Sequence, residues 1–357
     1  MKHFSIKYLC TLALFFVTFF AAQAAHSEAS EAQPKIDVKE IVLGHMSDAY
    51  EWHITTWNGH HISIPLPVIV KGETSGWQMF SSARFHDSAD GTYNGFYLNE
   101  EQNGKIYEHT AAGDVRPLDF SITKNVVQIW IVVILMAFIF IGSARWYKVG
   151  KPGDQAPGGI VGLVEMFVMS INDDLIRPSV GENHYRQYAP FLLTAFFFIF
   201  ITNLLGLLPI FPGGANITGN INITFVLAIC TMILVNLFGN KEYWKEILWP
   251  PVPTWLKCPV PMMPVIELFG IFTKPFALMV RLFANMMGGH AIILSLSCVI
   301  FITCQLGAVI GTPLTLVSFV MMIFMNCLEL LVAFIQAYVF TMLSAVFIGL
   351  AHPEHHE

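Results

Sequence analysis

Residues 264–294 read PVIELFGIFTKPFALMVRLFANMMGGHAIIL. A stretch this apolar is long enough to cross a bilayer, whose hydrocarbon core of about 30 Å needs about 20 residues of helix. Yet it contains Glu267, Lys274, Arg281, Asn285 and His290. A central Arg in a span costs roughly 2.5–3.5 kcal/mol on insertion scales, a cost kept where the group is used. Spacing sorts these residues. Glu267, Lys274 and Arg281 recur every seven residues, and Asn285 lies four beyond Arg281, so these four fall on or near one helical stripe. His290 is nine residues from Arg281, which at roughly 100° per residue places it on the opposite side.

The composition agrees with a membrane setting. Of the 357 residues, 55% are hydrophobic, 13% aromatic and only 12% charged, and the mean hydropathy is +0.58. A soluble domain carries roughly 25% charged residues. Net charge is −6, without the clustered Lys and Arg that nucleic-acid binding requires, so that class is excluded. The six cysteines are Cys10, Cys230, Cys258, Cys298, Cys304 and Cys327. They form no CxxC pair, so neither a disulfide framework nor a zinc site is expected.

The first residues pair basic Lys2 and Lys7 with an apolar run from Tyr8 to Phe20 and an Ala22-Gln23-Ala24 site. This pattern predicts a cleaved secretory signal over residues 1–24. Residues 25–124 are polar, with turn-rich stretches such as SADGTYNG and EEQNGK between short apolar runs, and predict a small β-rich exported domain.

Residues 125–357 predict an all-α polytopic membrane domain. Apolar segments run from Val126 to Ser143, Ala189 to Ile210, Ile221 to Phe238, Pro261 to about Val309 and, after a Gly311-Thr312-Pro313 break, to Leu350. Lys and Arg follow the first and third segments, while the FPGGANITGN loop after the second has none. The positive-inside rule therefore gives five crossings, with the N-terminal domain outside and the AHPEHHE tail in the cytoplasm. The Gly159–Val180 piece carries Asp173, Asp174 and Arg177 and reads as a cytoplasmic interfacial helix. The last two segments exceed what a straight crossing needs and must tilt or bend.

In the last segment Glu329 and Gln336 are again seven apart. The last two helices run antiparallel. His290 lies roughly 13 Å outward of Arg281 and Glu329 roughly 10 Å outward of Gln336, so setting Gln336 level with Arg281 brings Glu329 near His290 in depth. Direction agrees less well, and contact between the pair calls for a bend, with Gly288-Gly289 as its expected place. On these grounds Arg281 is a central cation, His290 and Glu329 an outer titratable pair, and Glu267 either a partner of Lys274 or a wall of an inner path. Lys274, beside Pro275, is expected to snorkel.

RLFANMMGGH (Arg281–His290), ELLVAFIQAYVFTML (Glu329–Leu343) and NLLGLLP (Asn203–Pro209) together resemble subunit a of the rotary F-type ATP synthase. The resemblance covers about Gly159 to Leu350, and residues 27–124 look like an extension that the common bacterial form lacks. It implies that Arg281 faces the ion-binding carboxylate of a ring of c subunits, that Asn285 and Gln336 belong beside it, and that His290 and Glu329 serve outer proton entry. The His-first, acid-second order resembles mitochondrial forms. Gly206 departs from members that have Asp there.

The implied function is a proton-conducting stator subunit with two offset half-channels, partnered by the c-ring, b-type peripheral stalk subunits and the rest of the complex in a bacterial inner membrane. No cofactor or metal is implied. The chain has no GxxxxGK[ST] phosphate loop and so is not expected to make ATP itself. A secondary transporter using Arg281 for an anionic substrate is the alternative, although the paired broken helices expected of one are not evident. A haem carrier would need paired histidines within spans, where His290 stands alone.

Overall fold

The computed structural model describes residues 46–57, 60–88, 91–99, 104–110, 113–149, 157–208, 213–248, 262–304 and 308–352, with Val42, Gly44 and Gln102. The expected signal segment lies outside the described residues. The chain divides into two compact units. One holds Gly44–His290 with Cys327–Glu357; the other contains Ala291–Asn326.

The first unit opens with nine short strands among the described residues. β1 (Glu51–Trp57) pairs with β2 (His60–Pro65), β3 (Pro67–Gly72) lies between β4 (Gly76–Ser81) and β9 (Leu118–Asp119), and β5 (Thr92–Tyr93), β6 (Phe96–Asn99), β7 (Lys105–Thr110) and β8 (Gly113–Val115) form a meander. All pairings are antiparallel. The Asn94-Gly95 turn joining β5 to β6 holds both residues at positive φ, 51° and 83°, the geometry a two-residue hairpin requires. Tyr50, Val68, Val70, Phe96 and Ile106 bury a small core with Phe85 from α1 (Ala83–Asp87).

Buried Glu108 on β7 closes the β3–β4 turn. Its carboxylate accepts hydrogen bonds from Thr74 Oγ1, Ser75 Oγ and the N–H groups of Glu73, Thr74 and Ser75. Burial alone would raise its pKa, but these donors together outweigh burial and bring it down to about 2.

Helices follow: α2 (Lys124–Val149), α3 (Gly159–Ser170), a π turn (Ile171–Ile176), α4 (Arg177–Val180), α5 (Tyr185–Gly206), α6 (Ile221–Leu237), α7 (Lys241–Leu248), α8 (Met262–Cys304) and α9 (Ala308–Leu350). Four contain stretches long and apolar enough to span a bilayer: Lys124–Lys148, Tyr185–Gly206, Val265–Thr303 and Gly311–Leu350. The 17-residue α6 is apolar but shorter, about 26 Å at 1.5 Å per residue. With it the helices agree with about five crossings, and the whole is a mostly helical membrane protein with a stranded N-terminal extension.

Two expectations about helix ends need correction. The Gly311-Thr312-Pro313 break does not interrupt a helix, because α9 begins at Ala308 and carries Pro313 inside it. Sitting in the second turn, Pro313 forfeits a single hydrogen bond, which a helix near its start tolerates. Likewise α8 ends at Cys304 rather than Val309. The apolar composition hid both limits, since hydropathy does not change there.

In the first unit, Leu192, Phe196 and Ile199 of α5 pack in one core with Leu278, Leu282 and Met286 of α8 and Ala337, Phe340, Ala345 and Ile348 of α9. Alanines at the α9 contacts let backbones approach, which drives helix association in lipid where the hydrophobic effect is lost. The closest approach is at Gly349, where a Cβ would stand 2.0 Å from the Ser179 carbonyl oxygen.

Candidate ion-translocation site

His290 and Glu329 meet. Nδ1 of His290 lies 2.5 Å from Oε1 of Glu329, with side-chain exposures of 16% and 3%. The helix is continuous through Gly288-Gly289. Gly289 works by being small: a Cβ there would stand 3.0 Å from Glu329 Oε1, so Glu329 lies across the helix surface that Gly289 leaves open. The depth match is borne out by the contact of the two side chains.

The other imidazole nitrogen settles the tautomer. Nε2 of His290 is 3.2 Å from the carbonyl oxygen of Gly206. A carbonyl only accepts, so Nε2 carries a hydrogen and Nδ1 is the nitrogen left to face Oε1 of Glu329. Its approach to Oε1 is close but off the line of a hydrogen bond, and neither Nδ1 nor either Glu329 oxygen has a directed partner among the described residues. The pair thus has one proton position to share, in a site that Gly206 orients from behind.

Around Gly206 lies a buried polar seam that the residue reading missed. Residues 213–220 fold back over α5: Ala215 N–H donates to Gln128 Oε1 on α2 at 2.9 Å, and Thr218 Oγ1 donates to Asn203 Oδ1 at 2.6 Å. Asn216 Nδ2 donates to the Met286 carbonyl on α8 at 3.3 Å. Gln128 Nε2, Thr202 Oγ1 and Asn203 Nδ2 are buried without hydrogen-bond partners among the described residues. The signal was available in part, since Gln128 is the lone strongly polar side chain between Val126 and Ser143.

Arg281 and Asn285 take a different position. Both are exposed on α8, as are Ala284 and Gly288, so this end of the stripe inferred from spacing faces outward, while Glu267 and Lys274 are half-buried. Arg281 has no ion-pair partner among the described residues, which removes pairing with Glu267 as its explanation here. Gln336 is buried at 7% exposure on α9, and the structure gives it no hydrogen bond to Arg281.

At the other end of α8, Glu267 and Lys274 form no salt bridge. Both flank Gly270, whose Cβ would be 3.9 Å from Glu267 Oε2 and from Lys274 Cε. Lys274 Nζ lies 5.7 Å from the centroid of the Phe347 ring, a cation–π contact. Burial, with the Glu267 charge adding to it, raises the pKa of Tyr243 on α7, and the Tyr243 hydroxyl donates to Asn236 Oδ1 at 3.1 Å. Glu267 therefore belongs to a polar patch with Tyr243.

The family described as ATP synthase A chain matches residues 126–349. The chain belongs to the ATP synthase subunit a family. A separate match, to Domain of unknown function (DUF8433), covers residues 41–125. Similar curated proteins include ATP synthase subunit a 2 of Chlorobaculum tepidum, 44% identical over 256 residues, 68% of this chain and 67% of that protein. ATP synthase subunit a of Chlorobium phaeobacteroides is 44% identical over 247 residues, 66% of this chain and 67% of the relative. That of Myxococcus xanthus is 40% identical over 251 residues, 67% of this chain and 76% of the relative.

Membership makes this chain a multi-pass membrane subunit with the proton-translocating role of the F-type ATP synthase, partnered with the rest of that complex. It also replaces the secondary-transporter reading of Arg281.

Proposed function

We propose that the chain supplies two offset half-channels to a ring of c subunits, held against it by b-type peripheral stalk subunits in a bacterial inner membrane. The N-terminal domain is periplasmic and the C-terminus cytoplasmic, supported by the basic residues after α2 and α6 and their absence from the loop after α5. The chain conducts protons and carries out no bond-forming step.

The observation that carries this reading is the His290–Glu329 pair oriented by Gly206. A proton arriving from outside along the seam of Gln128, Asn203 and Thr218 is taken by Nδ1 of His290 or by Glu329. Buried polar atoms without protein partners along that seam are groups that water would satisfy. From the pair the proton passes to a c-ring carboxylate, is carried round with the ring, and leaves past Arg281 towards Glu267. Exposed, unpaired Arg281 fits a group whose partner is on another subunit. Its fixed charge favours the ionised ring carboxylate, expelling the proton, and bars a proton from crossing directly between the half-channels. Each proton crossing 100 mV releases about 2.3 kcal/mol, so several are needed per ATP.

The test is a swap in the assembled complex. His290→Glu and Glu329→His, singly and together, are compared for proton-driven ATP synthesis in vesicles, with assembly checked by the soluble ATPase retained on the membrane. A working unit gives the double variant more synthesis than the sum of the single losses allows. Strictly additive losses in assembled complexes reject the pair as a relay.

A further inference from the structure

We infer that one face of the β3–β4–β9 sheet is a bilayer-docking surface, seating the N-terminal domain on the headgroup–acyl boundary beside the entry of α2. The register decides which side chains share that face. Lys71 pairs with both Trp77 and Leu118, Ile69 pairs with Met79, and Phe120 N–H donates to the Ile69 carbonyl at 2.9 Å. Side chains alternate across a strand, so Lys71, Trp77, Met79, Leu118 and Phe120 point the same way. Val68 and Val70 point into the core, and Asp119 accepts from the buried Tyr50 hydroxyl on the other side.

That face is apolar where water would be expected. Trp77 is 62% exposed, Met79 74%, Leu118 61% and Phe120 63%. Trp77 and Phe120 have ring centroids 5.8 Å apart, and Lys71 Nζ lies 5.8 Å from the Trp77 centroid. Ile64 on β2, at 37%, is the other large apolar side chain exposed on the strands among the residues whose side chains are described. Clustered aromatic and aliphatic groups with a Lys that can snorkel are the composition of an interfacial anchor.

The chain itself identifies the occupant. Phe120 is four residues before Lys124, where the α2 span begins, so the patch lies within about 14 Å of the membrane boundary along the chain. The connection is tied down: Ile122 N–H donates to the Pro67 carbonyl, Lys124 N–H to the Ala49 carbonyl and Asn125 N–H to Asp48 Oδ1. A domain hydrogen-bonded to the first turn of a transmembrane helix is held at the bilayer surface, so lipid is the apolar phase within reach. This holds whichever side of the membrane the domain occupies.

The experiment places a nitroxide label on Met79→Cys in the full-length chain, with its native cysteines replaced, in the complex reconstituted into liposomes. A second label on Asp87→Cys, an exposed polar position, is the aqueous reference. Collision rates with oxygen, which partitions into lipid, are compared with those of a water-soluble nickel chelate. Docking gives an oxygen-to-nickel ratio at Met79 at least threefold above that at Asp87, falling to the Asp87 value in the same liposomes when the patch is changed by Trp77→Ser and Phe120→Ser. A Met79 ratio equal to that at Asp87 in liposomes overturns the proposal. So does a label shielded from both reagents, which would mean that another protein surface covers the face.

Discussion

Gly289 leaves the space that Glu329 fills: a methyl group at Gly289 would lie 3.0 Å from Oε1 and 3.2 Å from the carboxyl carbon of Glu329. Contacts that short force the flexible end of Glu329 to move by a few tenths of an ångström, and that end is what faces His290. Gly289→Ala is therefore expected to slow proton-driven ATP synthesis several-fold in assembled complexes. Adding Glu329→Asp, one methylene shorter, should regain part of the loss. Synthesis unchanged by Gly289→Ala in a vesicle assay would show that the pair tolerates displacement.

Gly206 borders His290 from the other side. A Cβ at Gly206 would lie 3.6 Å from His290 Nε2 and 3.4 Å from the Ala215 carbonyl oxygen, which is ordinary contact and puts a side chain there beside the imidazole. Glu329→Gln should depress proton-driven synthesis strongly, and adding Gly206→Asp should restore a measurable share by giving the imidazole a new carboxylate. Equal rates in the single and double variants would mean that the acid must stand where Glu329 does.

Arg281 is exposed and forms no ion pair with a described residue of its own chain. Arg281→Ala should abolish ATP-driven proton pumping measured by a pH-sensitive dye in vesicles. Arg281→Lys should also fail, because an ammonium on a flexible stem does not reproduce the planar guanidinium. A gradient retained by Arg281→Ala would remove the coupling role, and one retained by Arg281→Lys would show that a positive charge alone suffices.

Gln128 accepts from Ala215 N–H in a buried setting. Gln128→Leu leaves that donor without a partner, at a local cost of about 1–3 kcal/mol, and removes one polar group from the seam. Reduced proton-driven synthesis is expected, with assembly recovered by Gln128→Glu, which keeps the acceptor. Assembly is read from the amount of subunit retained in the purified complex.

For the N-terminal domain the pH dependence has a definite sign. The Glu108 carboxyl is lowered to about 2 in the folded state from an ordinary value of 4.5. A depressed carboxylate contributes stability that is present above the unfolded value and is lost as pH falls through the folded one. The wild-type domain should thus lose stability between about pH 4.5 and 2, read by loss of strand circular dichroism or by protease nicking of the full chain. Glu108→Gln should be less stable at pH 7 and show a flatter profile across that window. An identical acid profile in the variant would assign the loss to other carboxylates.

Much of this was legible in the residues. Hydropathy marked the spanning helices because a bilayer admits only backbone that satisfies its own hydrogen bonds. The seven-residue recurrence of Glu267, Lys274 and Arg281 marked one stripe of α8, and the turn-rich SADGTYNG stretch marked a turn between strands, since both are local consequences of backbone geometry. The depth match of His290 with Glu329 came from helical rise alone. What the chain could not reveal by itself was how that pair closes. Helical periodicity describes where a Cβ points, not how far a glutamate can reach over a neighbouring glycine, and that reach depends on the distance between two helices 39 positions apart in sequence. The same reason hid the Gly206 carbonyl, the Gln128–Ala215 bond and the exposed sheet face of Trp77 and Phe120. Each is a relation between distant segments, set by packing, and only the tertiary structure decides it.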